Sequence, residues 1–192
     1  MAEVANMSVL AQPHHVWTFE DLLALPGDFD PRSYEIVDGA LVVSPSADVR
    51  HETISARLRR LLDRAALPHF EVIGPIAVDL HPSYRIPDLV VVSVEFTKRN
   101  VNPVPTADAL LVVEIVSPSS MTTDRVTKPA QYAAYGIPVY LRVETEPVVT
   151  LTAYEVRGNE GVYTEIGTWG PRETAHLTEP FAVDVPIDAI TP

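Results

Sequence analysis

Leu110-Leu111-Val112-Val113-Glu114-Ile115-Val116 is the stretch on which the fold turns. Alternate side chains of a strand point to opposite faces. Both sets are apolar here, so the strand needs cover on each side, as in a layered sheet with helices or loops packed on it. Glu114 breaks the pattern. A carboxylate inside such a strand must be paired, protonated or bound to a metal, unless it sits at the strand end and reaches solvent.

Working outward, Asp124–Tyr135 has helical spacing, Gly136 stands as its C′ residue and Ile137–Val143 resumes in extended form, giving a strand–helix–strand unit. Upstream, Asp88–Val94 reads as a second central strand and Phe70–Leu80 as a further extended segment. Ile54, Leu58, Leu61, Leu62 and Ala65 recur at helical spacing from His51 onward, and Pro68 ends that helix. Arg50, Arg57, Arg60 and Arg64 lie off its apolar stripe.

Turn chemistry sets the two ends. Tyr34–Val37 and Ala40–Val43 flank Asp38-Gly39, the two-residue signal of a type I′ hairpin. Val148–Val156 and Gly161–Gly167 flank Arg157-Gly158-Asn159-Glu160 as a second hairpin, and Phe181–Ile187 supplies a last strand. Thr18 can cap a short helix with Asp21 at its third position, stopped by Pro26-Gly27. The expectation is an α/β (α+β) fold, a central mixed β-sheet flanked by helices with N-terminal and C-terminal β-hairpins. A flexible segment over residues 1–17 precedes one domain over residues 18–192.

Composition removes several kinds of chemistry. The 192 residues contain no Cys, which excludes disulfide frameworks, thiolate-bound zinc, iron–sulfur clusters and cysteine nucleophiles. Hydrophobic residues at 46% and a mean hydropathy of +0.10 are those of a globular chain, with neither a leader segment nor a membrane-length apolar run, so the expected place is the cytoplasm. The His residues show no pair at i, i+4, no Gly-x-Ser-x-Gly elbow surrounds a serine, and no glycine-rich phosphate loop is present, which disfavours zinc proteases, serine hydrolases and loop-based nucleotide chemistry. A net charge of −12 repels polyanions on average, although a local basic strip or a carboxylate-bound cation can invert the field where a substrate sits.

Asp88 follows Ile86-Pro87 and opens the strand before that of Glu114. Alone it is ordinary turn chemistry. Together the two carboxylates can approach one hard cation, Mg²⁺ or Mn²⁺, because neighbouring strands bring oxygen ligands within its reach.

Tyr34-Glu35-Ile36-Val37-Asp38-Gly39, Arg50-His51, Ile86-Pro87-Asp88, Val113-Glu114-Ile115-Val116-Ser117-Pro118-Ser119, Asp124, Lys128, Tyr132, Gly136-Ile137-Pro138 and Tyr140, in that order, resemble the Uma-type restriction endonuclease family of the PD-(D/E)XK nuclease superfamily. The resemblance implies a restriction-endonuclease-like core and a divalent-metal-dependent DNA endonuclease, with Asp88 and Glu114 as the metal-binding acids. Lys128 resembles the superfamily lysine, moved from the strand position now held by Val116 to the following helix. Glu35 resembles the family's extra acid, against a plain reading as a solvent-facing hairpin residue. His51 is either a helix-start residue or a phosphate contact, and Arg57, Arg60 and Arg64 are either a solvated face or a track for the DNA backbone. Pro129 disfavours the α region at Lys128, which predicts a helix starting there. The expected partners are DNA, bound weakly with the help of metal, and a second copy in a homodimer, with no membrane. Two alternatives remain: a non-catalytic interaction module on the same fold, and a metal-dependent hydrolase of RNA or a small phosphoester.

Overall fold

The computed structural model describes residues 15–25, 30, 33–44, 47–66, 68–117, 120–158 and 160–192. The loose terminus expected before residue 15 and the Pro26-Gly27 stop lie outside these.

Helix α1 (Phe19–Leu23) opens on Thr18, whose hydroxyl accepts from Asp21 N–H while the Asp21 carboxylate accepts from Thr18 N–H, a reciprocal cap. Strands β1 (Tyr34–Val37) and β2 (Ala40–Val43) turn at Asp38 and Gly39 with φ of 49° and 79°, the paired positive angles of a type I′ turn. Helix α2 (Val49–Ala65) is capped by Asp48, which accepts from His51 N–H, and buries Ile54, Leu58 and Leu62. Then come β3 (Phe70–Ile73), β4 (Val78–Leu80), β5 (Ser83–Arg85), β6 (Leu89–Ser93), α3 (Val94–Arg99), β7 (Val104–Pro105) and β8 (Leu111–Val116). A π-type turn over Thr123–Thr127 runs into α4 (Lys128–Ala134). The chain continues through β9 (Val139–Glu144), β10 (Thr150–Val156), β11 (Tyr163–Trp169), β12 (Thr174–Leu177), β13 (Val183–Pro186) and α5 (Ile187–Ile190).

The strands form a six-stranded mixed sheet ordered β11-β10-β9-β8-β6-β3, a five-stranded sheet ordered β2-β1-β5-β4-β7, and the β12-β13 hairpin. Strands β8 and β9 are parallel, as the strand–helix–strand reading requires. All six residues of β8 are buried. Leu111, Val113 and Ile115 pack with the α2 stripe in one core, whereas Val112 joins Tyr132 and Tyr140 in a second. Helix α2 and helix α4 therefore cover opposite faces of the sheet, and Glu114, two residues from Val112, belongs to the α4 face.

Two expectations need correction. Phe70–Leu80 is not one extended segment, because the chain breaks after β3 and β4 joins the other sheet. The break lies at Gly74, whose φ is 134° and where a Cβ would stand 2.5 Å from the Asp88 carbonyl oxygen, so only glycine lets the two backbones approach. The five-stranded sheet as a whole was not foreseen. Finally, Lys128 is helical, with φ −62° and ψ −48°, and its N–H bonds Thr123 O, one residue further back than in an α-helix. Widening this turn accommodates Pro129, which has no N–H to give and would crowd a regular preceding turn.

Among the described residues no helix is long and apolar enough to cross a membrane.

Candidate active site

The second core surrounds one ammonium group. Lys128 is 7% exposed, and its Nζ donates to Glu114 Oε2 at 3.0 Å and stands 3.3 Å from Glu35 Oε1. Asp124 Oδ1 lies at 3.3 Å as well, an ion pair without hydrogen-bond geometry. The π-type turn delivers Asp124, and α4 delivers Lys128 and Tyr132, each four residues after the last. Tyr132 donates its hydroxyl to the other Glu114 oxygen at 2.6 Å. The second sheet supplies the rest. Arg85, on β5, donates Nη1 to Glu35 Oε2 at 2.9 Å and Nε to Gln131 Oε1 at 2.8 Å, while Ile86 N–H donates to Glu35 Oε1. Glu35 is thus a buried member of the cluster and not a solvent-facing hairpin residue.

Asp88 stands at the start of β6, where the Leu89↔Val113 register continued by one pair sets it opposite Glu114. Its Oδ2 accepts from Ile115 N–H at 2.6 Å, and its Oδ1 lies 3.2 Å from Nε2 of the buried His51. His51 therefore leans on Asp88 from the first turn of α2, with Nδ1 left without a hydrogen-bond partner among the described residues.

Charge explains the proton affinities. Glu35, Glu114 and Asp124 face Lys128 and Arg85, leaving one surplus negative charge. Burial pushes Glu114 well above the ordinary carboxylate range against the pull of Lys128, and it also raises Asp124. Burial disfavours the Lys128 ammonium, but Glu114, Glu35 and Asp124 outweigh it and hold the group protonated. Burial likewise disfavours ionised Glu35, yet Lys128 and Arg85 overcome it and lower its pKa. Burial also opposes a charged His51, and the contact with Asp88 outweighs it.

Asp88, Glu114, Lys128 and Glu35 are thus brought together, and His51 joins them through Asp88. Arg57, Arg60 and Arg64 are not. They ride on α2, across the sheet from α4, with Arg57 Nη1 bonded to Thr191 O and Arg60 and Arg64 exposed. Sequence reading gave no role to Arg85, Asp124 or Tyr132. The spacing of four through Lys128 marks the last two, while Arg85 lies in a three-residue strand that leaves no periodic trace.

Among the described residues no three His, Asp or Glu side chains close into a metal cage. Two carboxylates nonetheless suit a Mg²⁺-like ion, which retains waters and takes only one or two protein carboxylates beside substrate phosphates. Asp88 is 21% exposed in its side chain, each oxygen has acceptor capacity beyond the contacts above, and the surplus acidity would be discharged by a cation.

A family model described as "Uma2: Putative restriction endonuclease" matches residues 19–188. No curated protein matches the chain. A crystal structure from Anabaena variabilis, described as a putative nuclease belonging to DUF820, aligns at 16% identity with a TM-score of 0.69, covering 91% of this chain and 97% of the other. At that identity the likeness establishes a shared fold.

Proposed function

The chain belongs to the Uma2 family of restriction-endonuclease-like proteins, and on that footing we propose that it is a divalent-cation-dependent endonuclease hydrolysing DNA phosphodiester bonds. One observation carries the reading: a buried ammonium, Lys128, bonded to Glu114 with Asp88 opposite on the neighbouring strand. Held by Asp88 and Glu114, Mg²⁺ or Mn²⁺ would polarise the phosphate and acidify water.

The chain's own groups do the positioning. Tyr132 fixes one oxygen of Glu114, Ile115 N–H and His51 fix the two oxygens of Asp88, and the Glu35–Arg85 pair holds Lys128 from the second sheet. In hydrolysis a bond forms from water oxygen to phosphorus, the bond to one sugar oxygen breaks, and that oxygen leaves with a proton. Lys128 suits the negative charge that grows on the phosphoryl oxygens, since it is preorganised and costs no reorganisation.

Incubation of supercoiled plasmid with Mg²⁺, Mn²⁺ or EDTA, using wild type and Glu114→Gln, tests this. Nicking or linearisation is expected only with a cation and only in wild type. Equal cleavage in EDTA or in the variant overturns the reading, and DNA binding without cleavage in either cation points to a non-catalytic module.

A further inference from the structure

We propose that Arg50, Arg125 and Arg142 form a subsite for a backbone phosphate of DNA beside the Asp88–Glu114 site. The inference rests on the nuclease reading, since it names the substrate contact of that site. It starts from scarcity, because a chain of net charge −12 has few cations to place. Four of its twelve arginines are engaged elsewhere: Arg85 with Glu35, Arg57 with Thr191 O, Arg59 with Val72 O and Arg99 with Asp108.

Three others converge from three elements on two consecutive residues, Glu144 and Thr145, where β9 ends. Arg125, on the π-type turn, clamps Glu144 with Nε and Nη2, both at 2.9 Å. Arg142, on β9, is the register partner of Glu114, so the two side chains emerge side by side on the α4 face. Its guanidinium lies 5.4 Å from the Tyr154 ring centroid. Its buried Nε stands 3.1 Å from Glu144 Oε1 without hydrogen-bond geometry. Arg50 reaches from the first turn of α2 on the opposite face, with Nε bonded to Thr145 O at 3.0 Å. The Thr145 hydroxyl ties this end of the sheet together by donating to Val116 O.

Among the described residues Glu144 is the one carboxylate ion-paired with Arg125 and Arg142, and Arg50 is ion-paired with none, so the cluster keeps a surplus of positive charge. Each guanidinium has five N–H donors in a fixed fork, many more than Glu144 and one carbonyl can use. The ligand that matches several unspent planar forks is a phosphate, taken bidentately. The location agrees, since the cluster borders Glu114 at the carboxyl ends of the parallel strands β8 and β9, the edge at which open sheets bind ligands. Glu144 acts as the resident anion that holds the forks in place and competes with a phosphate for them.

The test is fluorescence anisotropy of a labelled DNA duplex in EDTA, where cleavage is not required, as a function of salt. Arg50→Gln and Arg125→Gln should each weaken binding roughly tenfold at low salt and reduce the slope of log Kobs against log salt by about 0.9, whatever the duplex sequence. Glu144→Gln should tighten binding, whereas a purely structural ion-pair cluster would show no gain. Arg157→Gln, at an exposed turn, is the control and should bind as wild type. Thermal melts confirm that each variant is folded, and an unfolded Arg50→Gln or Arg125→Gln is replaced by its Lys variant, which keeps the charge and should restore the slope without the full affinity. Unchanged binding in the Arg variants beside active wild-type cleavage overturns the subsite and spares the nuclease reading. The subsite also falls if Arg60→Gln/Arg64→Gln moves affinity and the cluster variants do not. Affected binding with no cleavage in any cation overturns the nuclease reading and spares the subsite, and absence of salt-dependent binding by wild type overturns both.

Discussion

Replacing Lys128 by Met removes the ammonium that stands 3.0–3.3 Å from three buried carboxylates while keeping a side chain of similar length. At an effective dielectric constant near 20, each such contact is worth about 5 kcal/mol of attraction. The variant cannot lose the full sum, because a carboxylate deprived of its partner takes up a proton. Glu35 is the carboxylate that Lys128 keeps ionised against burial, and from its ordinary value of 4.5 protonation at pH 7.5 costs about 4.1 kcal/mol at 1.36 kcal/mol per unit. The expected loss at pH 7.5 is therefore about 3–5 kcal/mol, the range for breaking a buried pair. Its pH dependence is diagnostic. The native variant binds one more proton, on Glu35, than native wild type does, so its deficit grows as pH rises and shrinks as pH drops. Between pH 7.5 and 5.5, about 2.7 kcal/mol of the deficit relative to wild type should disappear, at 1.36 kcal/mol per unit. Urea melts at the two pH values measure this directly. A deficit below about 1 kcal/mol at pH 7.5, or one constant between the two pH values, would refute the electrostatic account of the cluster.

Tyr132→Phe deletes one hydroxyl that donates to Glu114 at 2.6 Å, and should cost about 1.5–3 kcal/mol in a urea melt; an unchanged midpoint would show that this bond contributes nothing. Glu35→Gln leaves the buried Arg85 without its carboxylate and should cost about 3–5 kcal/mol at neutral pH. Because the folded pKa of Glu35 is lowered, its contribution is present above the ordinary value of 4.5 and fades as pH falls through the lower folded value, so wild type and variant should converge in acid. Gly74→Ala places a Cβ against the Asp88 carbonyl at a positive φ and should destabilise by about 1–3 kcal/mol; a neutral melt would show that the Asp88 backbone moves freely. Calorimetric titration with Mn²⁺ should show binding in wild type and none in Asp88→Ala, and retained binding would remove Asp88 from the cation site.

Strong periodic signals were legible in the sequence. A run apolar on both faces identified β8 as central, helical spacing identified α2, and Asp38-Gly39 identified the first hairpin, each because one dominant force acts over several consecutive residues. Glu114 stood out for the same reason, as a charge where burial forbids an unpaired one. The five-stranded sheet was not legible, since β4, β5 and β7 have only two or three residues each, too few for alternation to rise above chance. Arg85 went unseen with them. The basic face of α2 is a different case: helical spacing gathers Arg57, Arg60 and Arg64 on one helix, whereas the cationic cluster beside Glu114 is assembled from α2, the π-type turn and β9, and only tertiary folding brings those together.

The ionic cluster also bears on the order in which the chain can fold. Its bonds span 50 residues from Arg85 to Glu35, 46 from Arg85 to Gln131, and 14 from Lys128 to Glu114. Such long closures reward the chain late, after their entropy has been spent. During synthesis the five-stranded sheet and β8 emerge before α4, so Glu35 and Glu114 wait for an ammonium not yet made, and a fragment ending before Lys128 would have to keep Glu114 hydrated or protonated. The Lys128 cluster thereby reports completion of the fold: protection of the Glu114 region against hydrogen exchange should arise in step with α4 and not with the sheet alone.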